Sequence, residues 1–230
     1  MIVLLRRSQA GLLLAAGLLL AAQAVGQVAA PVRPWEADIR AFEELDRKNP
    51  PAPGGVVFVG SSSIRMWSSL AADFPGTPVV NRGFGGSAMA DVAAYADRIV
   101  IPYAPLLVVV YAGDNDINDG KAPAQVLADY RTLVERVHEK LPEARIAFLS
   151  IKPSPARWSR VEAMREANAL VRGYTAGDSL LAYVDLFTPM LGEDGMPRPN
   201  LFLEDGLHLN ADGYALWTSI LAPYLAEGGR

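Results

Sequence analysis

Cysteine is absent from all 230 residues of the chain. This absence excludes a disulfide framework, a thiol nucleophile and a zinc site built from cysteines. Histidine is almost as rare, because the chain has only two, His138 and His208. A general base of the histidine type therefore has two candidates. Basic residues are also fewer than acidic ones, 21 against 25, so the formal net charge is −4. This charge argues against nucleic acid as a partner.

The first 26 residues differ in composition from the rest of the chain. Arg6-Arg7 precedes a run of Leu, Ala and Gly over residues 10–22, and an A-x-A site follows at Ala22-Gln23-Ala24. This order is typical of a secretory signal peptide, and the run is short for a membrane span. We expect residues 1–26 to be removed, leaving a periplasmic or secreted protein without stable membrane insertion. Removal takes two of the 21 basic and none of the 25 acidic residues, so the net charge falls from −4 to −6.

Hydrophobic patterning predicts one domain of alternating strands and helices after the signal. Apolar residues at helical spacing, followed by prolines, indicate an N-terminal helix and a proline-rich connector in residues 27–54. Residues 55–230 form the main domain. Strands are predicted at residues 56–59, 78–81, 106–111, 145–150 and 182–186, and helices at residues 64–70, 123–141, 161–174 and from Asn210 onward. This alternation predicts an α/β fold with a parallel sheet and helices on both faces.

A glycine and three serines end the first predicted strand. Val56-Val57-Phe58-Val59 reads as a strand buried on both faces, and Gly60-Ser61-Ser62-Ser63 breaks the run before a helix. In an open α/β sheet, ligands bind beyond the carboxyl ends of the strands, where helix N-termini offer free N–H groups. The turn is therefore a candidate site for a nucleophile. A plain turn in which serine caps the helix explains the same residues.

A glycine-rich turn follows the second strand. Arg82-Gly83-Phe84-Gly85-Gly86-Ser87 contains three glycines, which allow backbone to approach a ligand closely. The same residues also suit a tight turn that needs positive φ. The third strand ends in Gly113-Asp114-Asn115-Asp116, so polar groups follow three strands of the predicted sheet.

His208 is the better of the two histidine candidates. His138 lies beside Glu139 and Lys140 near the end of a long helix, which is typical of a solvated surface. His208 precedes the last helix, and Asp205 stands three residues before it. A carboxylate at that spacing can hold one ring nitrogen and leave the other free to face a serine.

Together these segments resemble the SGNH (GDSL) hydrolase family in four blocks that occur in order. The blocks are Gly60-Ser61-Ser62, Asn81-Arg82-Gly83, Gly113-Asp114-Asn115-Asp116 and Asp205-Gly206-Leu207-His208. Within the family, the chain looks most like the branch of the platelet-activating-factor acetylhydrolase catalytic subunits and many secreted bacterial esterases. The resemblance implies a three-layer α/β/α fold with a flavodoxin-like, five-stranded parallel sheet, and makes residues 55–230 a catalytic domain.

The resemblance also implies roles for individual residues. Ser62 would attack an ester carbonyl, His208 would accept its proton, and Asp205 would orient the imidazole. The oxyanion would be held by the N–H groups of Ser62 and Gly83 and by the amide of Asn115. No cofactor and no metal are implied.

One departure from the family pattern concerns the serine turn. The aspartate that usually precedes the nucleophile is Ser61 in this chain. Local support for the turn must therefore differ, while the register still favours Ser62, two residues after Gly60.

The sequence motifs also fit other functions. A lysophospholipase or thioesterase acting on lipid esters fits the same motifs, and an inactive glycan- or phosphate-binding flavodoxin-like protein fits the turn alone. An α/β-hydrolase is disfavoured, because Ile64 stands where its G-x-S-x-G elbow needs glycine. A calcium loop at Asp114 is disfavoured by Asp119 and Gln125, which replace the required glycine and glutamate.

The expected substrate is a short-chain, chiefly acetyl, ester of a small molecule, a glycan or a lipid. A site for long acyl chains needs a deep apolar pocket or a mobile cover. The longest irregular segment near the site, residues 188–203, is rich in Gly, Pro, Asp and Glu. It is too polar to line a lipid tunnel, so an open, shallow site is predicted.

Overall fold

A five-stranded parallel sheet forms the centre of the structure, a computed structural model that describes residues 34–228. The predicted signal peptide at residues 1–26 lies outside the described residues. The strands are β1 (Val56–Gly60), β2 (Val79–Gly83), β3 (Leu107–Tyr111), β4 (Arg145–Leu149) and β5 (Leu181–Val184). They pair in the order β2-β1-β3-β4-β5, all parallel. The predicted flavodoxin-like sheet is confirmed.

Helices cover both faces of this sheet, which gives the predicted three layers. They are α1 (Glu36–Lys48), α2 (Ser62–Arg65), α3 (Leu70–Asp73), α4 (Met89–Ile99), α5 (Asp114–Asn118), α6 (Pro123–Lys140), α7 (Val161–Thr175) and α8 (Ala211–Gly228). Short 3-10 helices occur at Ile101–Tyr103, Pro155–Arg160, Thr188–Met190 and Pro199–Leu201. Among these described helices, none is both long and apolar enough to cross a membrane.

Two hydrophobic cores, one on each face of the sheet, hold the layers together. Alternate residues of a strand enter opposite cores: Val59 of β1 joins the first core, and Phe58 joins the second. Ile39 of α1 belongs to the first core and Trp217 of α8 to the second. Burial on both faces explains why the central strands β1 and β3 are continuous apolar runs rather than alternating ones.

The register of the sheet gathers the polar turns at one edge. Gly60 at the end of β1 pairs with Gly83 of β2 and with Tyr111 of β3. The residues that follow these three strands therefore emerge side by side, as the sequence predicted for a parallel sheet. This edge is the place for a functional site.

Three regions differ from the sequence prediction, and one of them is α5, whose residues were not predicted to form a helix. The helix predicted over residues 64–70 is divided into α2 and α3, because Trp67 between them is buried and its Nε1 donates to Asp73 Oδ2 at 2.6 Å. Packing of this indole overrides the weak local helix signal. Helix α4 is not among the predicted elements, although Val92, Ala96 and Ile99 lie three or four residues apart and are buried.

Candidate active site

Ser62 is the one of the three serines after β1 whose hydroxyl contacts His208. Its Oγ lies 3.0 Å from Nε2 of His208. Ser61 and Ser63 are each only 2% exposed, and the carbonyl oxygen of Ser63 accepts a hydrogen bond from the Tyr214 hydroxyl at 2.9 Å. The structure thus brings two predicted residues, Ser62 and His208, into hydrogen-bond contact and keeps the neighbouring serines buried.

Asp205 completes a chain of three side chains. Its Oδ2 lies 2.6 Å from Nδ1 of His208, and its Oδ1 accepts the backbone N–H groups of Leu207 and His208, both at 2.9 Å. Asn210 anchors the end of this turn at the start of α8, where its Oδ1 accepts the N–H of Gly213 at 3.0 Å. The loop is therefore fixed on both sides of the histidine.

The electrostatics of this pair define which ring nitrogen carries the proton. Hydrogen bonds from the His208 ring, and then from the backbone N–H groups of His208 and Leu207, lower the pKa of Asp205 to about 2. The carboxylate is ionised at neutral pH and can only accept, so Nδ1 of His208 is the protonated nitrogen. Nε2 is then left to accept the proton of the Ser62 hydroxyl.

Gly83 does not occupy the place that the sequence predicted for it. Its N–H donates to Oδ1 of Asn81 at 2.9 Å, and a Cβ at this position would lie 2.2 Å from the backbone nitrogen of Arg65. The glycine lets β2 approach α2 closely and is packed away from the cavity. The prediction that the Gly83 N–H binds an oxyanion is therefore corrected.

Asn81 supplies local support for the serine turn. Its Nδ2 donates to the carbonyl oxygen of Ile64 at 2.7 Å, while its Oδ1 accepts from Gly83. One side chain thus joins the end of β2 to α2. This link accounts for a stable turn in a chain that has Ser61 in place of the family's aspartate.

Gly86, three residues after Gly83, lines the cavity that also contains Ser62 and His208. Its φ is +78°, a conformation that favours glycine, and a Cβ there would meet no atom within 4 Å. In residues 34–228, no acceptor is bonded to the backbone N–H of Gly86 or of Ser62. Two N–H groups without an acceptor are therefore present on residues that line the same cavity, Ser62 and Gly86.

Asn115 lines the same cavity, and both ends of its side-chain amide are hydrogen-bonded. Its Nδ2 donates to the carbonyl oxygen of Ser87 at 3.0 Å, and its Oδ1 accepts from both terminal nitrogens of Arg157, each at 3.1 Å. An amide nitrogen has two N–H groups, so one remains for a ligand. The predicted residue Asn115 is thus brought together with Ser62 and His208.

The cavity that joins these groups has a volume of about 400 Å³. It is lined by Asp38, Ser62, Arg65, Gly85, Gly86, Asn115, Arg157, Leu207 and His208. Leu207 is the single large apolar side chain in this lining. The site therefore suits a small, polar ligand better than a long hydrocarbon chain.

Acidic residues near Asn115 are engaged in ion pairs. Asp114 bonds Lys152 at 2.8 Å and Arg157 at 2.6 Å, and Asp116 bonds Lys121 at 2.8 Å and the N–H of Met89 at 3.0 Å. Over the described range, no group of three or more His, Asp or Glu side chains is placed to hold a metal ion. The carboxylates of Asp114 and Asp116 are thus used in contacts within the chain.

Sequence reasoning missed Gly86, Arg157 and Lys152. The sequence did contain a signal for the two basic residues, because both follow β4. In a parallel sheet, the carboxyl end of β4 lies at the same edge as the carboxyl ends of β1 and β3. The conformation of the glycine turn offered no comparable signal.

The topology defines an α/β protein with a parallel sheet, and the contacting side chains Ser62, His208 and Asp205 lie at the carboxyl edge of that sheet. Residues 55–216 match the sequence model of the GDSL-like Lipase/Acylhydrolase family, and the chain belongs to this family. A related curated protein is the human platelet-activating factor acetylhydrolase IB subunit alpha1. It is 29% identical over 172 residues, which cover 69% of this chain and 70% of that protein.

Solved structures share the fold at lower identity. A GDSL-like lipase from Bacteroides thetaiotaomicron superposes with a TM-score of 0.70 at 20% identity, covering 83% of this chain and 98% of that one. A carbohydrate esterase family 3 protein from Talaromyces cellulolyticus superposes with a TM-score of 0.60 at 16% identity, covering 76% and 97%. The expected resemblance to SGNH hydrolases is confirmed.

Proposed function

We propose that this protein is a secreted serine esterase that hydrolyses short-chain, chiefly acetyl, esters. The observation that carries the proposal is the continuous hydrogen-bonded chain from the Ser62 hydroxyl through the His208 ring to the Asp205 carboxylate. A nucleophile, a base and a group that orients the base are the parts that acyl transfer requires. The acylhydrolase family of the chain supports the same reaction type.

In the proposed mechanism, the Ser62 oxygen attacks the ester carbonyl carbon as His208 Nε2 takes the hydroxyl proton. The carbonyl oxygen becomes an oxyanion, which accepts hydrogen bonds from the N–H of Ser62, the N–H of Gly86 and one N–H of Asn115. The C–O bond to the alcohol then breaks, and the imidazolium gives its proton to the leaving oxygen. Water, deprotonated by His208, then attacks the acyl carbon; the bond to the Ser62 oxygen breaks as the imidazolium returns its proton to that oxygen, which releases the carboxylic acid.

Asp205 has an electrostatic part in this cycle. The imidazole becomes positively charged when it takes the serine proton, and the carboxylate 2.6 Å away stabilises that charge. The low pKa of Asp205, about 2, keeps this carboxylate ionised across the neutral range. Its two backbone hydrogen bonds hold it in place while the histidine changes charge.

The substrate class follows from the size and polarity of the cavity. A volume of about 400 Å³ with one large apolar residue in the lining leaves little apolar surface for a fatty acyl chain. The related human protein is named an acetylhydrolase, which supports an acetyl group for this chain. The alcohol is proposed to be a small molecule, a glycan or a lipid that reaches an open site.

The localisation is part of the proposal. Residues 1–26 have the charged, apolar and small-residue regions of a signal peptide in the right order. We propose that the protein works in the periplasm or outside the cell, on esters that are present there.

Treatment of the purified protein with a fluorophosphonate is expected to modify one residue, Ser62. The reagent reacts with serines that are activated by a base, so its phosphorus would bond to the Ser62 oxygen. Peptide mass spectrometry locates the modification. Ser62→Ala should take no label, while Ser63→Ala should be labelled like the wild type. A folded wild-type protein that takes no label would support the alternative, a glycan- or phosphate-binding protein with an inactive site.

Activity is expected to fall as the acyl chain of the substrate lengthens. Purified protein without residues 1–26 would be assayed on p-nitrophenyl acetate, butyrate, octanoate and palmitate. The value of kcat/KM should be highest for acetate and at least about tenfold lower for octanoate, because the cavity offers no apolar tunnel to bind the additional methylene groups.

Four aromatic residues could have formed an acyl pocket but do not line the cavity. Trp67, Phe84, Tyr103 and Phe202 are buried in or beside the two hydrophobic cores. A higher kcat/KM for octanoate or palmitate than for acetate would contradict the short-chain proposal. It would instead favour the lysophospholipase or thioesterase alternative, with a pocket that opens when lipid binds.

A further inference from the structure

Arg157 is the only guanidinium in the described part of the chain that is bonded to Asn115. Its Nη1 and Nη2 both lie 3.1 Å from Oδ1 of Asn115, and Nη1 also donates to Asp114 Oδ1 at 2.6 Å. The arginine side chain is 15% exposed and lines the cavity that contains Ser62. A long side chain is thus fixed at several points next to the reacting groups.

These hydrogen bonds determine which end of the Asn115 amide faces the cavity. A guanidinium has donors and no acceptor, so the amide end that faces Arg157 must be the oxygen. The nitrogen end is then directed away from Arg157, where one N–H reaches the carbonyl of Ser87 and the other is free. A rotated amide would present its oxygen to the oxyanion and would repel it.

The network behind Asn115 also carries an excess of positive charge. Asp114 and Lys152 are bonded at 2.8 Å with side chains only 5% and 1% exposed, and Arg157 is the second cation on the same carboxylate. Tyr111 also bonds to Asp114, and burial raises the pKa of its hydroxyl well above the usual value, so it stays neutral. Within these four bonded residues, two cations face one anion.

An excess cation in a partly buried network is costly unless an anion comes close. An oxyanion on the far side of the Asn115 amide would supply that anion during the reaction. The charge of Arg157 would also polarise the amide and make its free N–H a stronger donor. The network is therefore built to favour negative charge at the place where the proposed mechanism develops it.

The segment that carries Arg157 also contacts the acid loop. Arg157 lies in the 3-10 helix Pro155–Arg160, and the N–H of Ala156 donates to the carbonyl oxygen of Gly206 at 3.1 Å. Gly206 directly follows Asp205 in the chain. One short segment after β4 thus links the Asn115 side of the site to the Asp205–His208 side.

We propose that Arg157 is a positioning residue for ester hydrolysis, which orients and polarises the Asn115 amide as an oxyanion donor. The inference rests on the proposed function and adds a residue to it. Arg157 would act through Asn115, so its contribution should appear in turnover and should depend on the presence of that amide.

A double-mutant cycle tests this dependence. Arg157→Met is expected to lower kcat for p-nitrophenyl acetate by about tenfold or more, with KM changed less than about twofold, since an orienting partner typically contributes a factor of 10–100. In an Asn115→Ala background, the same substitution should change kcat by less than about twofold. Arg160→Met removes a positive charge from the same 3-10 helix, outside the cavity lining, and should keep wild-type kcat.

Arg157→Lys covers the case in which Arg157→Met fails to fold. It keeps a cation beside Asp114, so the melting temperature should stay near that of the wild type, but it lacks the planar pair of donors for Asn115. A several-fold loss of kcat is therefore expected. An equal loss in both backgrounds, a change confined to KM, or wild-type kcat in folded Arg157→Met and Arg157→Lys would overturn the inference. A wild-type protein without esterase activity would instead overturn the proposed function, so the two failures are distinguishable.

Discussion

Replacing Ser62 or His208 by alanine is expected to lower kcat/KM for p-nitrophenyl acetate by about 10⁴-fold or more, because triad members act as a unit. The kcat/KM of the double variant should be only slightly lower than that of either single variant. In a single variant, the remaining Ser62 or His208 has already lost the partner with which it acts. Both side chains lie at the cavity, and Ser62 is the first residue of a short helix, so neither truncation opens a core. Circular dichroism and the melting temperature should therefore stay close to those of the wild type.

Matched control variants separate this effect from damage to the fold. Ser63→Ala alters the next serine, which is buried and does not contact His208, and it should keep wild-type turnover. His138→Gln alters the other histidine, whose Nε2 contacts the carbonyl oxygen of Ala144 in the turn between α6 and β4. This variant should also keep wild-type turnover. Substantial activity in Ser62→Ala combined with loss of activity in Ser63→Ala would show that the assigned nucleophile is wrong.

The sequence was sufficient to predict the sheet and to predict that Ser62, Asp205 and His208 lie close together at its edge. The central strands β1 and β3 are buried along their whole length and are therefore distinct apolar runs, and a parallel sheet brings the ends of such runs to one edge. Ser62 lies two residues after the end of β1, and Asp205 and His208 are separated by three positions in one turn. The contacts among these residues are thus fixed by short local segments on a regular scaffold.

The proposed oxyanion donors were harder to predict from the sequence. Gly83 and Gly86 belong to the same glycine-rich turn, and composition alone does not show which N–H is occupied. The Asn81 side chain takes the N–H of Gly83, which leaves that of Gly86 for the cavity. The path of a turn depends on side-chain contacts with neighbouring elements, and such contacts leave no periodic signal.

Arg157 and Lys152 illustrate a second limit of local patterns. Neither residue belongs to a motif, and both reach Asp114 across more than thirty positions of sequence. Long side chains of this kind find partners through the three-dimensional fold, and many places in the chain carry similar charges. The placement of β4 beside β3 brings both of them to Asp114.

Asn115→Ala is expected to lower kcat by about 10²–10³-fold while changing KM little, which is the cost of removing one preorganised oxyanion donor. The amide contacts the carbonyl oxygen as charge develops on it, so its energy appears in the transition state rather than in substrate binding. Steady-state kinetics with p-nitrophenyl acetate would separate the two constants. A loss seen only in KM would mean that Asn115 binds the substrate and does not stabilise the oxyanion.

Asn115→Asp makes the same test with almost no change in shape. The carboxylate keeps an oxygen for the two N–H groups of Arg157, so the network with Asp114 and Lys152 should retain its geometry. It has no N–H to donate and adds negative charge beside the oxyanion, so kcat should fall at least as far as in Asn115→Ala. The carboxylate cannot donate to the Ser87 carbonyl oxygen as the Asn115 amide does, so the melting temperature should fall modestly. A loss of kcat in a protein that is still folded at the assay temperature would assign the effect to the missing donor. Turnover close to that of the wild type in Asn115→Asp would require the oxyanion to be held by the N–H groups of Ser62 and Gly86 alone.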